Sequence, residues 1–331
     1  MNAMKAINIW VTTKCNLDCE YCYEHNIKDK LSISEKDITW LVEFVGFFSK
    51  NEPKVAVNFH GGEPLLYIDI IEEICNRLEI IRDNWILSLT TNGTLISKDN
   101  IKTIKKHSIN LSVSIDGTKE NHNKLRKYHN KAGSYDKCIQ GIKMALSESI
   151  DIRGRMTVTP DNCEQLYENI ISINSLGIKN IVAVPNLYDE EWTDNMVFKI
   201  EEDIKRLKQK RGNIDFVFLE ESTCKKGICM GGKNEINITP NLDIYPCACV
   251  VGIEEFKIGN LRKKTWNNNV IMQIEKMNEE QVDDCIGCVF FSMCITSRCR
   301  LYNKVLTGFS NRASVVVCAF ENMIYRINNN H

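Results

Sequence analysis

Cys15, Cys19 and Cys22 stand in a C-x3-C-x2-C spacing within TTKCNLDCEYCYE, directly after the apolar stretch AINIWV. Three thiolates on one short loop can ligate three irons of a [4Fe–4S] cubane. Such a cluster normally takes four cysteines, so a loop supplying three leaves one iron open to another ligand. An open coordination position is what separates reactive metal sites from closed structural ones. A zinc loop would more often show paired C-x2-C spacings.

A second cysteine group fills the C-terminal third: Cys224, Cys229, Cys247, Cys285, Cys288, Cys294, Cys299 and Cys318. The chain has 15 cysteines in 331 residues and no export signal, so a disulfide framework is not expected and metal binding is. Three plus eight leaves four cysteines. Cys75, Cys138 and Cys163 fall in helical patterns and read as small core residues. Cys249 stands two residues from Cys247, as either an alternative ligand or a free thiol near substrate.

Other polar residues punctuate the ends of β-rich runs. His60-Gly61-Gly62-Glu63-Pro64 follows the second run, and its glycines allow a tight turn with close backbone approach to a ligand. Glu63 can accept hydrogen bonds from an ammonium group. His60 either faces the interior and touches a ligand, which would make it with Cys249 a candidate catalytic residue, or fills a polar niche. Thr90-Thr91-Asn92-Gly93 ends the third run, and Ser112, Ser114 and Asp116 share one face at the end of the fourth. On the fifth, Arg155 alternates with apolar neighbours and suits a bidentate carboxylate contact, with Arg153 on the same face as its competitor.

The elements that must position these residues alternate. Apolar, β-rich runs cover 6–11, 55–59, 85–89, 109–115, 152–158 and 180–184. Helical periodicity fills the gaps at 68–81, 97–106, 135–146 and 163–175, with a further helix over 195–210. Ser34 is expected to cap the first helix, which carries Ile38, Leu41, Val45 and Phe48 on one face. Six βα units predict a parallel sheet with right-handed crossovers, too few for an eight-stranded barrel. Near residue 215 the alternation gives way to a small hairpin, 235–238 with 243–245, and to dense cysteines. The expected division is 1–215 and 216–331.

A net charge of −1 gives no electrostatic case for nucleic acid, and no apolar stretch is long enough for a bilayer. A cytoplasmic location is expected.

The cysteine triplet resembles the signature of the radical S-adenosylmethionine (SAM) enzymes. That resemblance implies an open, partial (β/α)6 TIM-type barrel with its chemistry at the C-terminal strand ends. It implies a cluster whose open iron chelates SAM, and a 5′-deoxyadenosyl radical that removes a substrate hydrogen atom. The implied SAM shell is Tyr21 near adenine, Gly61, Gly62 and Glu63 at the amino group, then Thr91, Asn92, Ser114, Asp116 and Arg126. Arg155 is the choice for the SAM carboxylate. His122, Arg126 and Gly133-Ser134-Tyr135 resemble the DG…H…R…GSF stretch of peptide-modifying relatives.

The C-terminal cysteines resemble a SPASM domain, here expected as a cysteine-rich α+β unit. The family's interleaving implies two auxiliary [4Fe–4S] clusters, one on Cys224, Cys229, Cys247 and Cys299, the other on Cys285, Cys288, Cys294 and Cys318. Leu242 replaces the pattern's glycine, and Asn241 is expected to take over the turn. The last internal spacing is x4 in place of x3.

The expected activity is that of a peptide maturase, with a ribosomally made substrate. Rivals are a sulfatase-type formylglycine maturase, a small-molecule dehydrogenase, and a non-enzymatic iron–sulfur carrier or zinc scaffold. Sulfatase-type relatives carry Gln where His60 stands and Asp where Ala248 stands. The chain starts at its first strand without a leader-binding module, so a separate leader-peptide-binding protein is one expected partner. A flavodoxin or ferredoxin reductant is another. Tyr188, Asp189, Glu190 and Glu191 either line the barrel mouth or form a solvated loop.

Overall fold

The computed structural model describes residues 4–27, 29–210, 214–218, 229–292, 294–295 and 299–329, so Cys224 lies outside the described residues. Seven parallel strands run in sequence order: β1 (Lys5–Thr12), β2 (Val55–Gly61), β3 (Trp85–Thr91), β4 (Asn110–Ser114), β5 (Ile152–Val158), β6 (Asn180–Pro185) and β7 (Asp215–Phe218). Crossover helices join them: α1 (Glu35–Phe48), α2 (Ile68–Ile81), α3 (Lys98–Lys106), α4 (Lys119–Leu125), α5 (Tyr135–Ser147), α6 (Leu166–Ser175) and α7 (Asp194–Gln209). The sheet does not close on itself, which is the open partial barrel expected for six βα units.

Strand alternation divides the sheet into two faces. Ile7, Ile9, Val57, Phe59, Leu89, Val113 and Met156 point outward and are buried under Leu41, Ile74, Leu78, Ile104 and Ile170 of the helices. The inward face is polar. Asn8 Nδ2 donates to Glu235 Oε1 at 3.0 Å and Asn58 Nδ2 to Asn8 Oδ1 at 2.7 Å, while Ser88 bonds Asn58, so the barrel floor is a hydrogen-bonded layer. The apolar core therefore lies between sheet and helices, leaving the strand ends free to carry polar groups.

Three local expectations are corrected. The Ser34 hydroxyl does not cap α1; it donates to Asp37 Oδ2 at 2.6 Å, and the side chain of Asp37 is itself held by Arg262. The sixth helix opens as a 3-10 turn, Cys163–Gln165, before α6 proper. At the C-terminal hairpin Asn241 does not take the left-handed turn. Leu242 takes it with φ +65° and is fully buried, while Asn241 Oδ1 accepts from Thr239 Oγ1 and Asp243 N.

Neither β7 nor α4 was anticipated, and the hairpin strands do not stand apart. β8 (Glu235–Ile238) pairs parallel with β1, and β9 (Asp243–Tyr245), β10 (Gly259–Asn260) and β11 (Thr265–Trp266) add antiparallel. Among the described residues one eleven-stranded sheet thus spans both halves of the chain. Cys75, Cys138 and Cys163 are fully buried in the core, as their helical placement predicts. Among the described residues no helix is long and apolar enough to cross a membrane.

Candidate active site

The cysteine loop leaves β1 and is held by the segment that follows α4. Asp18 N donates to Lys127 O at 2.7 Å and Glu20 N to Leu125 O at 2.9 Å, and ion pairs Lys127–Glu20 and Lys131–Asp18 flank them. The 125–133 segment is itself a small hairpin, bridged at Lys127 and Gly133. The three thiols of the loop face one another closely enough for Cys19 and Cys22 to act electrostatically on Cys15. Burial pushes Cys15 up to about 12 and Cys19 up to about 11, with Arg126 opposing the shift at Cys19. A cation must therefore replace those protons before the sulfurs act as thiolates.

Hydrogen-bond donors already point at one of these sulfurs: Leu17 N reaches Cys15 Sγ at 3.4 Å and Asn92 Nδ2 reaches it at 3.9 Å. Among the described residues no three Cys, His, Asp or Glu side chains close to the spacing of a single metal ion. A cubane places each thiolate on a separate iron and takes a wider set. The all-sulfur donors and their N–H partners fit such a cluster.

The Gly61-Gly62 turn lies directly against this loop. Gly62 N donates to Thr12 O at 2.8 Å and Glu63 N to Lys14 O at 2.9 Å. A Cβ at Gly61, whose φ is +112°, would fall 2.1 Å from Thr12 O, and one at Gly62 would fall 2.2 Å from Lys14 O. Only glycine permits that approach. Glu63 is fully buried and binds inward: Leu65 N and Thr91 Oγ1 donate to Oε1, and Asn92 N donates to Oε2. Its carboxylate thus ties the second strand end to the third, while Asn92 Nδ2 reaches on to Asn16 Oδ1 at 2.8 Å.

Asp116 is used in the same way. Its Oδ2 accepts from Tyr21 OH at 2.6 Å and Arg126 Nε at 2.8 Å, and its Oδ1 accepts from Thr157 N at 3.0 Å and Arg126 Nη2 at 3.3 Å. The Arg126 guanidinium lies 5.2 Å from the Tyr21 ring centre. The expected cofactor-shell residues Tyr21, Asp116 and Arg126 therefore come together, but as an internal clamp between the cysteine loop and the ends of β4 and β5. His122 completes it, accepting from Asp116 N at 3.4 Å and meeting Ser134 Oγ at 3.0 Å. Burial holds that imidazole down at about 4, and it is neutral.

Ser114 and Arg155 sit partly exposed on the inward face, in register across β4 and β5. Arg153, its competitor, lies exposed at the start of the strand. His60 faces inward, its ring 5.4 Å from that of Trp10. Burial and the Arg155 charge push His60 down to about 4, and its buried Nδ1 has no hydrogen-bond partner among the described residues. Sequence reasoning missed Glu24. It is buried, pushed up to about 8 by burial against the pull of Lys30, and its Oε2 has no partner among the described residues. An acidic residue two places after the triplet was the available signal.

Beyond the loop opens a cavity of about 670 Å³, walled on one side by Trp10, Tyr21 and Tyr23 and on the other by 239–253. Of the stretch 188–191, only Tyr188 lines it. Cys249 lies on its wall, 3.6 Å from Cys247 Sγ. Cys229, Cys247, Cys249 and Cys299 lie within electrostatic reach of one another. So do Cys285, Cys288, Cys294 and Cys318.

Residues 9–173 match the Radical SAM superfamily. The cysteine-type anaerobic sulfatase-maturating enzyme of Clostridium novyi is 27% identical, over 90% of this chain and 88% of that protein. Two solved structures share the fold. One is anSMEcpe with bound AdoMet and Cp18Cys peptide, at TM-score 0.80 and 18% identity, covering 99% of this chain and 100% of that one. The other is Streptococcus suis SuiB bound to precursor peptide SuiA, at TM-score 0.72 and 17% identity, covering 95% and 76%. The fold is shared with these structures along nearly the whole length, and the matched domain over the strand ends that carry the thiol triplet places this chain in the radical SAM superfamily of enzymes.

Proposed function

We propose that the protein is a SPASM-type radical SAM maturase that modifies a ribosomally made peptide. The observation that carries this reading is the cavity, lined on one wall by Tyr21 and Tyr23 of the thiol loop and on the other by Cys249, which stands 3.6 Å from Cys247. In this reading Cys15, Cys19 and Cys22 hold the SAM-binding cluster. When bound, cluster and SAM supply a 5′-deoxyadenosyl radical that takes a hydrogen atom from the substrate. Gly61 and Gly62 bring backbone to the SAM amino group, Ser114 lies along the cofactor, and Arg155 takes its carboxylate. Tyr21, Glu63, Asp116 and Arg126 hold the loop in register.

The C-terminal cysteines hold two auxiliary clusters, for three in all, with Cys224 completing the first set. Residues 1–215 form the core and 216–331 the auxiliary domain. A flavodoxin or ferredoxin supplies electrons, a separate protein presents the leader, and the enzyme works in the cytoplasm. A sulfatase-type activity is the second reading, favoured by the likeness to the C. novyi protein. Against it, Ala248 brings no proton-accepting side chain to the cavity wall.

The test is to feed candidate peptides to the reconstituted, reduced protein and follow 5′-deoxyadenosine together with peptide mass. A maturase yields both the nucleoside and a loss of about two hydrogens, the mass balance of a new bond formed oxidatively. The nucleoside with no change in any peptide favours a small-molecule substrate. Cys19→Ala is expected to abolish the nucleoside while iron at the C-terminal sites persists.

A further inference from the structure

The walls of the 670 Å³ cavity carry a selective chemistry. Its volume lies in the range of about 300–1,000 Å³ that proteins use for ligand-sized guests. Trp10, Tyr23, Tyr188 and Tyr245 present aromatic surface to it, and Tyr23 and Tyr188 are 47% and 44% exposed there. Among the described residues, the charged side chains on the lining are both acidic, Asp29 and Asp243.

The two carboxylates differ. Asp243 is already satisfied: Asn260 Nδ2 donates to it at 2.7 Å, Asn241 Nδ2 at 2.8 Å, and Lys257 lies 3.9 Å away. Asp29, between Lys28 and Lys30 in the chain, is exposed, and its backbone carbonyl accepts from Thr13 Oγ1 at 2.7 Å. Aromatic faces and an exposed carboxylate on one cavity wall each attract a cation, by ring quadrupole and by Coulomb field. The same surface repels an acidic guest, since like charges facing each other across a site work against binding.

We propose that this cavity selects a peptide segment with a cationic side chain, lysine or arginine, seated between Tyr23 and Tyr188 and steered by Asp29. The inference rests on the peptide-maturase reading and narrows its substrate class. It also sets where the guest lies, since Cys249 shares the wall and stands beside Cys247.

The test uses the full chain with its clusters reconstituted and SAM present, without reductant. Fluorescently labelled heptapeptides of one Gly/Ala host sequence differ only at the central residue: lysine, norleucine or glutamate. Anisotropy titration is expected to show lysine bound at least about tenfold more tightly than glutamate and about threefold more tightly than norleucine. Asp29→Asn is expected to narrow the lysine-to-norleucine gap, and Tyr188→Leu to narrow it further, while Tyr188→Phe retains it. Equal binding of the three peptides, or a gap untouched by Asp29→Asn, overturns the charge selection alone. Failure of every peptide to bind, with SAM still cleaved on reduction, overturns the peptide reading and this inference with it.

Discussion

Arg126 and Asp116 form the charge pair on which the cysteine loop rests, with side-chain exposures of 9% and 0%. Removing one partner leaves the other charge buried and uncompensated, which costs about 3–5 kcal/mol in comparable sites. Arg126→Met is therefore expected to lower stability by that order in urea titrations. It should also release the Tyr21 end of the loop, so that reconstituted protein loses iron from the N-terminal site while keeping it at the C-terminal cysteines. Arg126→Lys restores the charge but not the two-point contact, and recovers only part of both readouts. Iron retained in full by Arg126→Met would contradict a positioning role. The family resemblance implies that Asp116 and Arg126 belong to the cofactor shell; that they also bind each other is not legible, because strand alternation fixes the face on which a side chain sits and says nothing of its partner. The partner here is ten residues further along the chain, across a helix that periodicity did not reveal. The close turn at Gly61 and Gly62 was legible for a different reason: it depends on residue type and local spacing, both of which are written in the chain itself.

The turns between elements divide in the same way. Gly62→Ala would place a methyl group 2.2 Å from Lys14 O, and that neighbour is backbone that cannot swing aside. The loop must move, and loss of N-terminal iron with little change in the helices is the expected outcome, read by iron content and far-ultraviolet circular dichroism. Leu242 presents the opposite balance. Its left-handed φ of +65° costs on the order of 1–3 kcal/mol relative to glycine, yet its side chain is wholly buried beside Ile244 and Ile258. Deleting a buried leucine costs about 2–5 kcal/mol. Leu242→Gly is accordingly expected to destabilise by about 1–2 kcal/mol in chemical denaturation despite relieving the backbone. A more stable variant would show that strain outweighs packing there. The six long strands and their helices were readable from period and length. β7 was not, since four residues, DFVF, carry too little pattern to separate a strand from a loop.

On the scale of the molecule, the pairing of β8 with β1 decides what the two halves can do alone. It joins residues some 230 positions apart and is invisible to any local pattern, so the sequence suggests a boundary where the sheet is continuous. Trp10 Nε1 donates to Asn237 Oδ1 at 3.2 Å across this junction, and Asn8 to Glu235 beside it. Two further clamps hold the halves elsewhere. Arg262 Nη2 reaches Asp37 Oδ2 at 2.7 Å, and Arg326 Nη2 reaches the buried Glu201 Oε2 at 2.6 Å, where the helix Val315–Asn329 packs on α7. A chain ending at residue 218 would strip β8 from β1, baring one hydrogen-bonding edge of the apolar strand KAINIWVT, and would leave Glu201 without Arg326. Unpaired, β-rich, uncharged edges recruit other chains. The fragment is expected to aggregate in size-exclusion chromatography with light scattering, whereas the full chain stays dispersed and melts in one transition. A monomeric fragment with its own cooperative melt would mean that the parallel strands are complete without the hairpin. The cavity would then lie between two separable bodies and not within one continuous sheet.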